Sequence, residues 1–207
     1  MGMRITARLG TAALAAASLL LITTGCASGS GASGGSLSTT QISPPDGEVV
    51  GTGTVLDVAG DVALCLGPIA ESYPPQCDGL PLMGWSWEGV DGFEESGDTR
   101  WGTYAVFGTF DGEVFTATQP PIMLALYDPI RPEDPTGGVP GETPVAELDE
   151  IARELPTELG DLLLATWTQD GYVWAQVIWD DGTLQDAADA EYGDGVVIVQ
   201  SALRPIG

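Results

Sequence analysis

The sequence predicts a mixed α+β fold, in which a small all-β barrel or sandwich is followed by an α-β-β-α-β module. Three observations carry this. Residues 48–127 consist of short alternating apolar runs separated by Gly, Asp and Pro, the grammar of a compact β domain. Residues 128–144 (DPIRPEDPTGGVPGETP) contain five prolines and no sustained apolar period, as a linker or long surface loop does. Residues 145–207 then switch between helical and strand periodicities.

In the β-rich part, 48–58 (EVVGTGTVLDV) alternates so that Val50, Thr52, Thr54, Leu56 and Val58 share one face. A Gly60-Asp61 turn leads to a second run at 62–66, and 80–87 is a third. Runs at 104–110 and 113–118 flank Asp111-Gly112, the signature of a two-residue hairpin whose central positions both need positive φ. Residues 122–127 add a sixth strand. An OB-like Greek-key barrel accommodates this many short strands.

In the last section Thr143 is placed to cap a helix with Pro144 at its first position. Val145, Leu148, Ile151, Ala152 and Leu155 form its apolar stripe, and Pro156 is expected to stop it. Runs at 162–168 and 172–179 make a hairpin around Asp170-Gly171. Thr183 is placed to cap a second helix ending at Gly193, and 196–200 is the final strand. Three strands with helices on one face are marginal alone, so this module is expected to lean on the β-rich one.

The first residues read as an address. Arg4 and Arg8 precede an apolar run at 9–22, too short to cross a bilayer, and Thr23-Thr24-Gly25-Cys26 closes it. The pattern resembles the lipobox of bacterial lipoprotein precursors, with Thr23 where that motif usually has Leu. The resemblance implies removal of residues 1–25 and lipidation of Cys26. It also implies a membrane partner reached through the lipid anchor, at the outer face of the bacterial cytoplasmic membrane. Residues 26–47 are expected to form a Gly/Ser tether. Matches in it to G-x-S-x-G (31–35) and G-x-G-x-x-G (29–34) lack a preceding strand and a following helix, so both are chance.

With Cys26 assigned to lipid, Cys65 and Cys77 remain. In an exported chain a leftover pair reads as one disulfide. A redox pair would want C-x-x-C spacing or a neighbouring cation, and neither is present.

Composition excludes much chemistry. The chain has 30 acidic residues, 6 basic ones and no histidine, and every basic residue is Arg. Both Arg of the signal segment leave with it, so 4 basic residues face 30 acidic ones and the mature charge is −26. That charge repels nucleic acid, which is not an expected partner. Missing His rules out Ser-His-Asp and Cys-His sites and His-ligated metals, and missing Lys rules out Schiff bases and Walker loops. No catalytic residues and no cofactor are predicted.

Asp91, Glu94, Glu95 and Asp98 crowd one Gly-containing loop (DGFEESGD), weak candidates for a Ca²⁺ site. The spacing matches no EF-hand, and a solvated acidic loop is the plainer expectation. The same carboxylates can be drawn as a glycosidase pair. Trp85, Trp87 and Trp101 surround the loop and are candidates for stacking on a ligand, although tryptophans in alternating strands usually belong to the core. The layout also resembles exported proteins of actinobacteria, in Leu64-Cys65-Leu66-Gly67, Tyr73-Pro74-Pro75-Gln76-Cys77 with Gly84-Trp85, and the segments from Tyr192-Gly193 through Ala202-Leu203-Arg204-Pro205. That resemblance implies a shared fold and brings no activity. The expectation is therefore a non-enzymatic envelope module that meets a protein or glycan partner. A carboxylate-dependent glycan hydrolase and a low-affinity divalent-cation binder are the alternatives.

Overall fold

A computed structural model describes residues 36–206. The expected signal segment (1–25), Cys26 and the start of the tether lie outside the described residues. The fold is mixed α+β, mostly sheet, with two α-helices among the described residues. The elements run β1 (Val49–Val58), β2 (Asp61–Cys65), β3 (Leu80–Met83), β4 (Glu94–Ser96), β5 (Thr99–Phe110), β6 (Phe115–Ala117) and β7 (Ile122–Met123), then α1 (Val145–Leu159), β8 (Leu163–Gln169), β9 (Tyr172–Val177), α2 (Thr183–Tyr192), β10 (Val197–Ser201) and β11 (Arg204–Pro205).

Five strands close a barrel in the order β1-β2-β3-β6-β5, with β5 pairing back along the whole length of β1. Every pairing in the ring is antiparallel except β3 with β6. Closure leaves no free edge inside the ring. Val49, Val55, Leu64, Leu82, Val106 and Phe115 fill the interior.

The inward face of β1 is the one that holds Val49 and Val55, not the Val50–Val58 alternation that the apolar pattern makes conspicuous. Gly51 and Gly53 lie between those two valines. A Cβ on Gly51 would meet the methyl groups of Leu203, Leu66 and Leu64, and one on Gly53 would run into the Cys65 backbone. Glycine there lets β1 coil tightly against β2. The outward face is partly covered too. Leu56 is buried with Cys65 and Trp101, with Cys77 packed against them. The Cys65–Cys77 disulfide, with Cα atoms 6.1 Å apart, ties that cover in place.

The two Asp-Gly turns differ. At Asp170-Gly171 both residues have positive φ (51° and 83°) and Gln169 pairs with Tyr172, the expected two-residue hairpin. At Asp111-Gly112 only the glycine does, and the loop has four residues, since Phe110 pairs with Phe115. The Asp111 carboxylate accepts the Glu113 and Val114 N–H groups at 2.9 and 2.8 Å. That side-chain turn replaces the tight hairpin. The run at 122–127 likewise yields only the two-residue β7, followed by a 3₁₀ turn at Leu124–Leu126.

In the second sheet, ordered β10-β9-β8, β8 and β9 are antiparallel while β9 and β10 are parallel, with α2 as the crossover. Val173, Ala175 and Val177 are buried together with Leu148, Leu155 and Leu184 of the two helices. Helix α1 does not stop at Pro156 but runs to Leu159. Proline cannot donate to the Ala152 carbonyl, yet Leu155 and Leu159, one turn apart, are both buried, and packing holds the last turn. The predicted hydroxyl caps are absent: neither Thr143 nor Thr183 is an N-cap. The Asp180 carboxylate serves α2 instead, accepting the Gly182, Leu184 and Gln185 N–H groups at 3.0, 2.9 and 3.4 Å.

The chain ends bind these parts together. Leu203, after β10, is buried in the barrel core, and β11 pairs with the start of β1. At the other end, the segment from Ser36 does not run free as a tether. Leu37, its one large apolar residue before Ile42, is buried against the core of α1 and α2. Trp179 donates its indole N–H to the Ser43 carbonyl at 2.9 Å, and Asp181 accepts the Ser43 N–H at 2.8 Å. No helix among the described residues is long and apolar enough to cross a membrane.

Candidate functional site

After β3 the chain turns at Gly84 (φ 71°) into a loop that packs Trp85, Trp87 and Val90 against the barrel core. Tyr104 points inward from β5 and donates its hydroxyl to the Asp91 carbonyl at 2.9 Å, which ties the loop down. The Trp85 ring meets Trp87 edge-on at 5.1 Å and lies 5.4 Å from Tyr104. Trp87 donates its N–H to Asp57 at 2.8 Å and packs 5.3 Å from Phe93. The Arg100 guanidinium lies over Phe93 at 4.9 Å and Trp87 at 5.6 Å, and pairs with Glu95 at 3.3 Å. This is the one ion pair among the described residues. Aromatic packing and cation–π attraction explain why a loop rich in Gly and acid is ordered.

Beside this cluster lies a groove of about 540 Å³, bounded by Trp85, Asp91 and Tyr104 on one side and Ile122, Met123 and Leu126 on the other. Leu126 is 78% exposed and Met83, next to the loop, 60%. The buried indole N–H of Trp85 has no hydrogen-bond partner among the described residues. Burial, then the nearby Asp91 charge, pushes the Tyr104 hydroxyl above its ordinary pKa and keeps it a neutral donor. The groove thus offers an apolar wall and a few fixed polar groups. Ser86, Thr118, Glu88 and Asp91 also line it, and neither aliphatic hydroxyl is hydrogen-bonded to either carboxylate.

The predicted residues separate. Trp85 and Trp87 belong to the groove's aromatic wall. Trp101, three residues before inward-facing Tyr104, lies on the outer wall of the barrel in the disulfide cluster, with Tyr73 edge-on at 5.2 Å. Asp91 lines the groove, while Glu94 and Glu95 are consecutive on β4 and therefore face opposite ways. Asp98 occupies the β4–β5 turn, where its carbonyl accepts the Ala59 N–H. Among the described residues no three His, Cys, Asp or Glu side chains are grouped to hold a metal ion, so the four acids of the loop do not form the calcium cage considered for them. Tyr104, Ile122, Met123 and Leu126 escaped sequence reasoning. The available signal was Pro120-Pro121 before the last three, since prolines there shorten the strand and turn its apolar residues outward.

A larger cleft of about 750 Å³ lies between the β2–β3 side of the barrel and residues 160–164, with Asp78, Glu113 and Asp161 on its walls. Comparison with protein-family models, curated proteins and solved structures gives no match.

Proposed function

We propose that the chain is a lipid-anchored, extracytoplasmic module that binds an envelope partner and performs no catalysis itself. The observation that carries this reading is the Trp85–Leu126 groove, apolar on one wall and with neither of its aliphatic hydroxyls, Ser86 and Thr118, hydrogen-bonded to its carboxylates, Glu88 and Asp91. The lipobox resemblance at Cys26 supplies the anchor. Between Cys26 and buried Leu37 lie ten residues, a span of at most about 35 Å. The barrel is read as OB-like. Its ring order β1-β2-β3-β6-β5, with β3 and β6 parallel, supports that reading.

Two measurements test the proposal in cells. Cys26→Ser should move the protein from the membrane fraction to the soluble one, and a C26S protein still sedimenting with membranes overturns the anchor. A photo-crosslinker at Leu126 should give a discrete adduct that is lost when Ile122→Glu charges the groove. An adduct insensitive to that charge, or none, overturns the groove as the binding face.

A further inference from the structure

We propose that the helix-free face of the β8–β9–β10 sheet binds a neutral pyranose unit of a glycan at its β8–β9 side, with the Trp167–Trp174 pair as its platform. The proposal rests on the binding-module reading and gives it a ligand class at a second place. Trp167 and Trp174 are direct partners across β8 and β9, on the face opposite the helices. Their rings stack with centroids 6.2 Å apart and planes within 6°, and Trp167 is 38% exposed. A cross-strand pair of this kind stabilises a hairpin by itself, but it needs no second wall, and here there is one.

Asp134, Thr136, Gly138 and Val139 of the Pro-rich segment stand beside the rings and enclose a pocket of about 220 Å³. That wall is pinned to the hairpin: Tyr172 donates its hydroxyl to the Val139 carbonyl at 2.9 Å, and the Gly141 N–H reaches the Asp170 carbonyl at 2.8 Å. The pocket is therefore set before any ligand arrives, which lowers the ordering cost of binding.

Its free polar groups define the ligand. Asp134 accepts from Thr136 through one carboxylate oxygen, and Asp170 accepts from Gln169 through one, so each keeps an oxygen with no partner among the described residues. The Trp167 indole N–H and the Gln200 side-chain amide also have no partner among the described residues, and both line the pocket. Acceptors and donors thus surround a flat aromatic surface. A pyranose matches this set, since its C–H face lies on an indole while its hydroxyls both donate and accept. A cation would use the carboxylates and rings but leave the Trp167 and Gln200 donors idle. An anion meets Asp134, Asp170 and a body with a large acidic surplus.

The test is affinity electrophoresis and tryptophan fluorescence on the full chain purified in mild detergent, with dextran, mannan, xylan and soluble starch as probes. Polygalacturonate and tetramethylammonium serve as anionic and cationic comparators. At least one neutral polysaccharide should retard the protein and shift its emission. Trp167→Ala should weaken that binding about tenfold or more, the loss of a central aromatic contact. Gln200→Ala should weaken it severalfold with the thermal unfolding curve unchanged, and this variant decides the matter if Trp167→Ala fails to fold. Retardation by no neutral polymer, undiminished binding in Gln200→Ala, or saturable binding of tetramethylammonium or polygalacturonate in its place overturns the proposal. Trp167→Ala should leave membrane fractionation and the Leu126 adduct intact, so failure here is distinct from failure of the anchored-module reading.

Discussion

Alanine at Gly53 is expected to open the barrel, while the same change at Gly51 is tolerated. The added Cβ at Gly53 would lie 3.0 Å from the Cys65 carbonyl carbon and nearer still to its oxygen, both backbone atoms of the neighbouring strand. Restoring contact distance means moving β1 and β2 apart by about 1 Å. Thr54 pairs with Cys65 at that point, and such a shift takes a ladder bond beyond hydrogen-bonding range. Overpacking costs about 1–3 kcal/mol and each buried backbone group left unpaired a further 1–3 kcal/mol or so. The sum is about 2–6 kcal/mol. At Gly51 the obstacles are three leucine methyl groups at 3.0, 3.0 and 3.1 Å, which rotate aside, so about 1 kcal/mol is expected. Gly47 has nothing within 4 Å, and Gly47→Ala should change stability by no more than about 0.5 kcal/mol. Urea unfolding followed by tryptophan fluorescence reads the series. With a slope of about 2 kcal/mol per molar urea, Gly53→Ala should lower the midpoint by roughly 2 M. A Gly53→Ala midpoint within about 0.5 M of the parent, or a Gly51→Ala loss as large as the Gly53→Ala one, refutes the account of how the ring closes.

Other perturbations follow from the same structure. Replacing both Cys65 and Cys77 by Ala should cost about 3 kcal/mol, the loop-closure entropy for partners 12 residues apart, and an unchanged urea midpoint would contradict it. Leu155→Ala should destabilise by about 2–5 kcal/mol through the cavity left under α1, whereas exposed Val145→Ala should be silent within about 0.5 kcal/mol. Asp180→Ala should cost about 1 kcal/mol, because the Gly182 N–H before α2 and the Leu184 and Gln185 N–H groups of its first turn lose their acceptor, with the loss visible in thermal unfolding. Burial, reinforced by the charges of Glu191, Glu154 and Glu158, pushes the Tyr192 hydroxyl up to about 12. Its folded pKa exceeds the unfolded 10.0, so its contribution is complete below pH 10 and disappears as the pH rises towards 12. Absorbance at the tyrosinate band should show a late-titrating tyrosine that Tyr192→Phe removes.

Where local chemistry decides the outcome, the sequence was legible. Asp170-Gly171 became the two-residue hairpin because nothing nearby competes for its geometry. The stripe through Leu148, Ile151 and Leu155 became the buried side of α1 for the same reason. The misreadings share a cause in contacts from distant segments. Alternation on β1 marks two faces but not which is inward, because Leu56 is buried on the outside by a cover held at Cys65 and Cys77. Pro156 ends an isolated helix, yet burial of Leu159 carries this one on. The tryptophans near the acidic loop could not be sorted by spacing. Trp101 pairs with Leu56 on β1 and, three residues before inward-facing Tyr104, is turned outward by its strand phase, whereas Trp85 lies in the loop after β3, where no alternation applies.

The charge of the body bears on the proposed anchor. With 30 acidic residues in the chain and a single ion pair among the described residues, surface electrostatics add repulsion and little cohesion. Packing around Val55, Phe115 and Leu155 and the disulfide must therefore supply the stability. The same repulsion acts between the body and an anionic lipid surface and decays over a Debye length of about 8 Å at physiological salt. On the anchored reading, a tether reaching up to about 35 Å would let the body sit beyond that layer with the acyl chains inserted. Shortening it below about one Debye length would press like charges together and weaken attachment without touching the lipid. On the anchored reading, the Gly/Ser stretch before Ser36 is thus a spacer whose useful length is set by electrostatics, and retention of a shortened variant should improve as salt is raised.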